Sequence, residues 1–254
     1  MQTIGLIAAM PLESRALLRL VRGRERVQVG SLRGARFQSA DRDCALVTSG
    51  MGVRRAASAA QALIAAVRPV CLVSFGIAGA VRENLKIGDT IMATQNCSLD
   101  KGKVGPFQNL AALSAEGRQA AERALQSHGS RLIPGTAITS HGSQLVLSQF
   151  QELLNPVLEM ETAGILQVAL ENEIPLIALR SISDSPRSPI PFDLENVMDD
   201  EYNFRTGRLL LEVLRQPAIL FHSAQMIRNS QIAADDAAAA VLAILNQPGM
   251  LYHA

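Results

Sequence analysis

The sequence predicts a three-layer α/β/α sandwich around a central mixed, largely parallel sheet. Short apolar runs typical of buried strands alternate with longer segments in which apolar residues recur at helical spacing. Such alternation favours a sheet that is covered by helices on both faces. The chain has 254 residues, of which 48% are hydrophobic. That is enough for one domain with a full core.

Seven strands are predicted from the apolar runs, at residues 3–9, 44–48, 70–75, 89–94, 135–139, 157–160 and 176–182. Helices are predicted at residues 11–22, 54–67, 114–128, 144–154, 162–172 and 195–215. The first of these helices opens on Pro11, which helices tolerate in their first turn. Residues 26–40 carry Gly30 and Gly34 between short segments, which predicts an antiparallel excursion.

A further helix is predicted after Pro217, with an apolar face that would serve as a cap or an interface. Its face is formed by Leu220, Ala224, Ile227, Val241 and Ile244. We therefore expect a catalytic domain over residues 1–215 and a C-terminal helical extension over residues 216–254, packed on the same domain.

Composition argues against several classes of function. The net charge is +1 and the basic residues are spread along the chain, which indicates no nucleic-acid face. The four histidines are isolated and no metal-ligand spacing occurs, so we expect no metal and no cofactor. Three dispersed cysteines favour reduced thiols and a cytoplasmic location. We identify no signal peptide and no apolar run of membrane-spanning length.

Three acidic residues lie at or near the ends of predicted strands. Glu13 follows the first strand, Glu161 follows the strand at 157–160, and Asp184 follows the strand at 176–182. The carboxyl ends of parallel strands form the ligand crevice of open α/β sheets, so one pocket could receive all three carboxylates. Taken alone, Asp184 is better interpreted as a helix N-cap in a Ser-Asp-Ser turn. Glu13 and Glu161 are equally read as first-turn acids that the helix dipole favours.

Two glycine-bearing segments follow strands, SGMG at residues 49–52 and FGIAGA at residues 75–80. Glycine allows positive φ and a close approach of the backbone to a ligand. Neither segment is the six-residue dinucleotide fingerprint. A tight strand-to-helix turn is at least as good an interpretation of each segment taken alone.

Together, these residues resemble the purine nucleosidase and nucleoside phosphorylase superfamily, particularly its methylthioadenosine/S-adenosylhomocysteine nucleosidases. The resemblance extends over roughly residues 3–192. It is carried by GLIAAMPLES at 5–14, SGMG at 49–52, FGIAGAV at 75–81, LKIGD at 85–89, LEMETAG at 158–164 and RSISD at 180–184.

The resemblance implies a nucleoside phosphorylase-like fold and cleavage of an N-ribosidic bond. In that chemistry Asp184 would protonate purine N7, Glu161 would bind the ribose hydroxyls, and Glu13 would activate the attacking water. The implied catalytic residues are Glu13 and Asp184. The implied substrate-binding residues are Met10, Met51, Ala78, Gly79, Glu159, Met160, Glu161, Arg180, Ser183 and Phe192. The resemblance also implies a homodimer.

Water is favoured over phosphate as the group that receives the sugar. A phosphate nucleophile needs cationic donors at its pocket. The phosphorylases that this chain resembles place an arginine before the central glycine motif and a serine inside it, where this chain has Ser74 and Ile77. Arg180, or Arg15 one turn from Glu13, could still supply the charge.

The 5′ substituent is left open between two branches of the family. The nucleosidases have a serine where this chain has Ile77, and a base-stacking aromatic residue where it has Gln144. The second C-terminal helix and SFGIAGAV resemble the hopanoid-associated relatives that act on adenosylhopane, although that branch usually lacks the glutamate matched by Glu13. The residues are also compatible with a phosphate-dependent purine nucleoside phosphorylase and with a non-catalytic protein that binds nucleosides.

Overall fold

The computed structural model describes residues 2–140, 150, 152–186, 218–247 and 249. Its strands are β1 (Thr3–Ala8), β2 (Glu25–Val29), β3 (Leu32–Ser39), β4 (Arg42–Thr48), β5 (Cys71–Ala80), β6 (Thr90–Asp100), β7 (Lys103–Val104), β8 (Gln108–Asn109), β9 (Leu132–Ser140), β10 (Val157–Glu159) and β11 (Leu176–Asp184). Its helices are α1 (Pro11–Leu20), α2 (Val53–Val67), α3 (Ala115–Gln126), α4 (Thr162–Glu171) and α5 (Ala218–Leu245).

The strands form one mixed sheet in the order β10-β9-β6-β11-β5-β1-β4-β3-β2, with β7 and β8 paired to β6. The pairs β4–β1, β1–β5, β5–β11, β6–β9 and β9–β10 are parallel. The pair β6–β11 is antiparallel, as are the pairs β2–β3 and β3–β4 that form the predicted excursion. The predicted fold class is thereby confirmed.

The largest difference from the sequence prediction is the length of β5. The segment at residues 75–80 was predicted to be a turn, but it is the second half of this strand. Strand β11 pairs with it as far as Gly79, and β10 pairs with its last two residues from the other side. Hydrogen bonding on both sides keeps the segment extended. The segment at residues 49–52 is a true turn, with positive φ at Gly50 and Gly52.

Helices cover both faces of the sheet. On one face, α1 and α5 pack over β1, β5 and β11. On the other face, α2 and α4 pack against each other, α2 over β1 and β4 and α4 over β5, β6, β9 and β11. Helix α5 is anchored at its end by the buried side chain of Arg42, whose Nη1 donates to the carbonyl oxygen of Leu245 at 2.7 Å. This bond satisfies one of the helix's unpaired terminal carbonyls.

The C-terminal helix is part of the core rather than a separate cap. Its buried face includes Ala233, Ala237, Val241 and Ile244. The predicted face was wrong for Ala224 and Ile227, which are exposed, because the buried apolar residues described on α5 begin only at Ala233. The side chain of Leu220 and the predicted helix at 195–215 lie outside the described residues. So does most of the predicted helix at 144–154, although residues 152–154 form a turn.

The described residues have the following features with respect to membrane spans, metal ligands and cysteines. None of its helices combines the length and the apolar character needed to cross a membrane. Among the same residues, no group of three or more histidine, cysteine or acidic side chains could hold a metal ion. The three cysteines are buried free thiols.

Candidate active site

The three acidic residues singled out in the sequence lie around the carboxyl-terminal half of β5. Glu13 is in the first turn of α1, Glu161 immediately precedes α4, and Asp184 is the last residue of β11. The carboxylates of Glu13 and Asp184 flank β5 at Gly76 and Gly79. Glu161 is close enough to Glu13 for their charges to interact. The tertiary structure therefore brings these three carboxyl groups into one region.

Glu13 is held by two backbone amides. Its Oε2 accepts a hydrogen bond from the N–H of Met10 at 2.8 Å, and its Oε1 accepts one from the N–H of Ile77 at 3.0 Å. Burial raises the pKa of Glu13, and the two amides and the charge of Arg180 oppose that rise. A Cβ at Gly76 would overlap Oε1 of Glu13, so only glycine lets the carboxylate approach β5 this closely.

Glu161 is tied to the turn after β4. Its Oε1 accepts a hydrogen bond from the N–H of Gly52 at 3.0 Å. The positive φ of Gly52 makes glycine the favoured residue at this position. Burial, together with the nearby charge of Glu159, raises the pKa of Glu161 to about 7. This carboxyl group therefore changes its charge near neutral pH.

Asp184 lies beside β5 and is bonded to its neighbour in the chain. The hydroxyl of Ser183 donates to Asp184 Oδ1 at 2.7 Å. A Cβ at Gly79 would lie 2.6 Å from the other carboxylate oxygen. Burial raises the pKa of Asp184, and the hydroxyl of Ser183 opposes that rise. A carboxyl group with a raised pKa can hold a proton closer to neutral pH, as a general acid requires.

Glu159 and Arg180 form a buried ion pair at 2.9 Å. Both were predicted from the resemblance to bind substrate. In the structure Arg180 also donates to the hydroxyls of Ser74 and Thr162 and to the carbonyl oxygen of Leu179. Ser74, which stands where the phosphorylases have an arginine, is therefore a partner of Arg180.

The other predicted residues divide into two groups. Met10, Met51 and Met160 are partly buried, and Ala78 is buried on β5. Phe192 and Gln144 lie outside the described residues. Arg15 is exposed, whereas Glu13 on the same helix turn is buried.

Sequence reasoning missed the polar side chains behind the carboxylates. Thr139 and Thr162 are fully buried and both donate to Glu159, and Asn96 donates to Thr139 at 2.8 Å. Thr162 lies inside the LEMETAG motif, so the motif could have identified it as a residue near the site. Asn96 and Thr139 are on separate strands, and no local pattern indicates that they meet.

Replacing Glu161 with glutamine should change how stability depends on pH. The pKa of Glu161 in the folded chain, about 7, lies above its ordinary value of 4.5, so the wild type loses stability as pH rises between these values. The glutamine amide carries no charge, so the cost of burying it does not change with pH. We expect Glu161→Gln to raise the melting temperature by a few degrees more at about pH 8 than at about pH 5. Thermal unfolding at both pH values measures this, with Glu171→Gln, an exposed site on α4, as control. Equal effects at both pH values would contradict the assignment.

Comparison with known proteins identifies the family that this chain matches. The model of the phosphorylase superfamily matches residues 3–215. The 5′-methylthioadenosine/S-adenosylhomocysteine nucleosidase of Haemophilus influenzae (strain PittGG) is 28% identical over 198 residues, covering 71% of this chain and 85% of the relative.

Solved structures agree on the fold. The nucleosidase of the same name from Neisseria meningitidis, in complex with methylthio-immucillin-A, aligns with a TM-score of 0.70 and 20% identity over 97% of this chain and 99% of that one. Futalosine hydrolase of Helicobacter pylori aligns with a TM-score of 0.68 and 18% identity, over 95% and 96% of the two chains. By the match over residues 3–215, the chain belongs to the phosphorylase superfamily.

Proposed function

We propose that this chain is a nucleosidase that hydrolyses the N-ribosidic bond of a 5′-modified adenine nucleoside, of the methylthioadenosine or S-adenosylhomocysteine type. The observation that carries the proposal is the placement of three carboxyl groups around the carboxyl-terminal half of β5, with Glu13 and Glu161 buried and Asp184 partly buried, each with different partners. Curated relatives named as nucleosidases for these two nucleosides support the choice of substrate.

Each carboxyl group has a role that suits its surroundings. Asp184, with its raised pKa, donates a proton to N7 of the purine and so stabilises the leaving base. Glu161, when ionised, accepts hydrogen bonds from the ribose hydroxyls and places negative charge near the cationic sugar. Glu13, fixed by two amides, orients and deprotonates the attacking water. The partly buried Met10, Met51 and Met160 provide adaptable apolar walls.

The contacts of the arginines support water over phosphate as nucleophile. Arg180, four residues before Asp184 on β11, forms an ion pair with Glu159. Arg15 is exposed, on the opposite side of α1 from the buried Glu13. A phosphate would need a cationic donor in the pocket. Neither arginine considered from the sequence is placed to supply one.

Base release with and without phosphate tests the proposal. We expect adenine and a free sugar from methylthioadenosine and S-adenosylhomocysteine at the same rate in both conditions, measured by chromatography of both products. Adenosine and inosine are the controls that lack a 5′ modification. Strict phosphate dependence would identify a phosphorylase instead. Release only from a lipid-linked nucleoside would favour the adenosylhopane branch, and binding without release would identify a binding protein.

Two further properties remain predictions from the resemblance and the composition. We propose that the chain forms a homodimer and acts in the cytoplasm. Light scattering on the purified protein at micromolar concentration measures the first property. A monomer with full nucleosidase activity would contradict it.

A further inference from the structure

Glu159 is the most heavily bonded carboxylate among the described residues near the site. Its Oε2 accepts hydrogen bonds from the N–H groups of Glu161 and Thr162, at 3.1 and 2.9 Å, and from the hydroxyl of Thr162 at 2.7 Å. The same oxygen accepts from Nε and Nη2 of Arg180 at 3.1 and 2.9 Å. Its Oε1 accepts from the hydroxyl of Thr139.

These bonds leave little capacity for a substrate. An ionised carboxylate has about four lone-pair sites, and Glu159 already receives six donors. Its side chain is fully buried and that of Arg180 is 2% exposed. Five of the six hydrogen bonds go to Oε2, so a ribose hydroxyl could reach this oxygen only by displacing a partner. Oε1 accepts one, and a hydroxyl could reach it only if the packing that buries the side chain opened.

Partners of Glu159 lie at the start of α4, which Glu161 precedes, and on β11, which ends at Asp184. The amides of Glu161 and Thr162 belong to the start of α4, and Arg180 is four residues before Asp184 on β11. Through Arg180 the network reaches Ser74 on β5, two residues before the glycine that contacts Glu13. Glu159 is therefore bonded directly to the elements next to Glu161 and Asp184, and through Arg180 and Ser74 it is linked to β5, the strand whose Ile77 amide holds Glu13.

We propose that Glu159 is a positioning residue, which holds Glu161 through the backbone of α4 and keeps Arg180 engaged, so that neither Glu159 nor Arg180 binds the nucleoside. The proposal deepens the proposed function and rests on it for the role of Glu161. It differs from the substrate-binding role that the resemblance implies for both residues.

The charges of Glu159 and Arg180 make the proposal measurable, because both act on the pKa of Glu161. The negative charge of Glu159 acts to raise the pKa of Glu161, whereas Arg180 acts to lower it. Burial favours the neutral form of Glu159, but Arg180 and the two threonine hydroxyls outweigh it, so the pKa of Glu159 lies below its ordinary value. Glu159 thus stays charged while Glu161 titrates near neutral pH.

Glu159→Gln tests the proposal. The amide oxygen can still accept the two backbone N–H groups, but Arg180 loses its counter-charge and acts on Glu161 instead. We expect the titration midpoint of Glu161, followed by carboxyl NMR of the free protein, to fall by about one unit or more. We also expect kcat for adenine release to fall at least about tenfold, with a smaller change in KM, because the reacting geometry is lost rather than a substrate contact.

Asp89→Asn is the matched control. Asp89 is also a buried acid paired with an arginine, Arg131, but it is not among the charges that act on Glu161. We expect Asp89→Asn to lower stability while leaving the Glu161 midpoint and KM unchanged. A merely structural role for Glu159 would make the two variants behave alike, which would overturn the proposal. An unmoved Glu161 midpoint with a raised KM in Glu159→Gln would overturn it too, because that is the result expected of a substrate ligand.

Thr162→Val decides the question if Glu159→Gln does not fold. This near-isosteric change removes one donor to Glu159 and one acceptor of Arg180, and it leaves both charges in place. Positioning predicts a severalfold lower kcat with unchanged KM, whereas wild-type kinetics would overturn it. The two proposals can also fail separately. A wild type that releases no base from any nucleoside, with a Glu161 midpoint that still falls in Glu159→Gln, would end the proposed function and keep the positioning role.

Discussion

Asp184→Asn is expected to lower the rate of adenine release by about 10²–10⁴-fold, the usual contribution of a general acid. The amide has nearly the same shape and still accepts the hydrogen bond from Ser183, but it has no carboxyl proton to give to purine N7. Binding of the nucleoside should therefore change little. Single-turnover rates and the affinity for methylthioadenosine, measured separately, check both expectations.

Asp236→Asn is the control for this variant. Asp236 is a buried aspartate on α5 whose partners are His128 and Ser130, and it contacts none of the three candidate carboxyl groups. We expect it to affect stability and to leave the rate of adenine release per folded molecule unchanged. A normal rate in Asp184→Asn would remove Asp184 from the mechanism, as would an equal loss of rate in both variants.

Glu13→Gln is expected to lower the rate of hydrolysis by about 10²–10⁴-fold as well, since the amide cannot take a proton from water. Its carbonyl oxygen can still accept one of the amides that now hold the carboxylate, from Met10 or Ile77. We therefore expect a folded protein that binds nucleosides and releases little base. The loss should appear in kcat and kcat/KM alike, measured by steady-state release of adenine.

Glu116→Gln separates this role from a helix-dipole effect. Glu116 is the acid in the first turn of α3, and it is exposed. If Glu13 served only to stabilise the start of its helix, both variants would lower stability by a similar small amount and neither would change the rate. That result would mean that Glu13 is not the group that deprotonates the attacking water.

Much of the fold could be predicted from local patterns. The strand at 176–182 and the helix at 54–67 occur within a few residues of their predicted bounds, because their apolar periodicity reports directly on burial. Strand β5 was predicted too short because glycines at 76 and 79 are typical of turns. Only pairing with β10 and β11 on its two sides makes this segment a strand. The exposure of Ala224 and Ile227 likewise depends on which part of α5 packs into the core, which is a tertiary property.

For the candidate site, the sequence predicted where the acidic residues lie but not what they contact. The positions of Glu13, Glu161 and Asp184 at strand ends follow from the sequence, because a parallel sheet gathers the carboxyl ends of its strands. Their surroundings do not follow from it. Gly52 meets Glu161 across 109 residues, and Ile77 meets Glu13 across 64. Burial, which only tertiary packing creates, is the main cause of the raised pKa of each acid, and these long-range contacts oppose it at Glu13 and Glu161. No local spacing encodes either effect.

The sequence by itself determined the fold class, the family resemblance and the three acidic residues, because apolar periodicity and short motifs are local properties of the chain. Only the tertiary structure decided what Glu159 and Arg180 contact. In the sequence they are a motif acid and a strand-end cation, either of which could face a ligand. In the folded chain they face each other, because a buried charge is stable only beside a counter-charge and hydrogen-bond partners, which here come from distant strands.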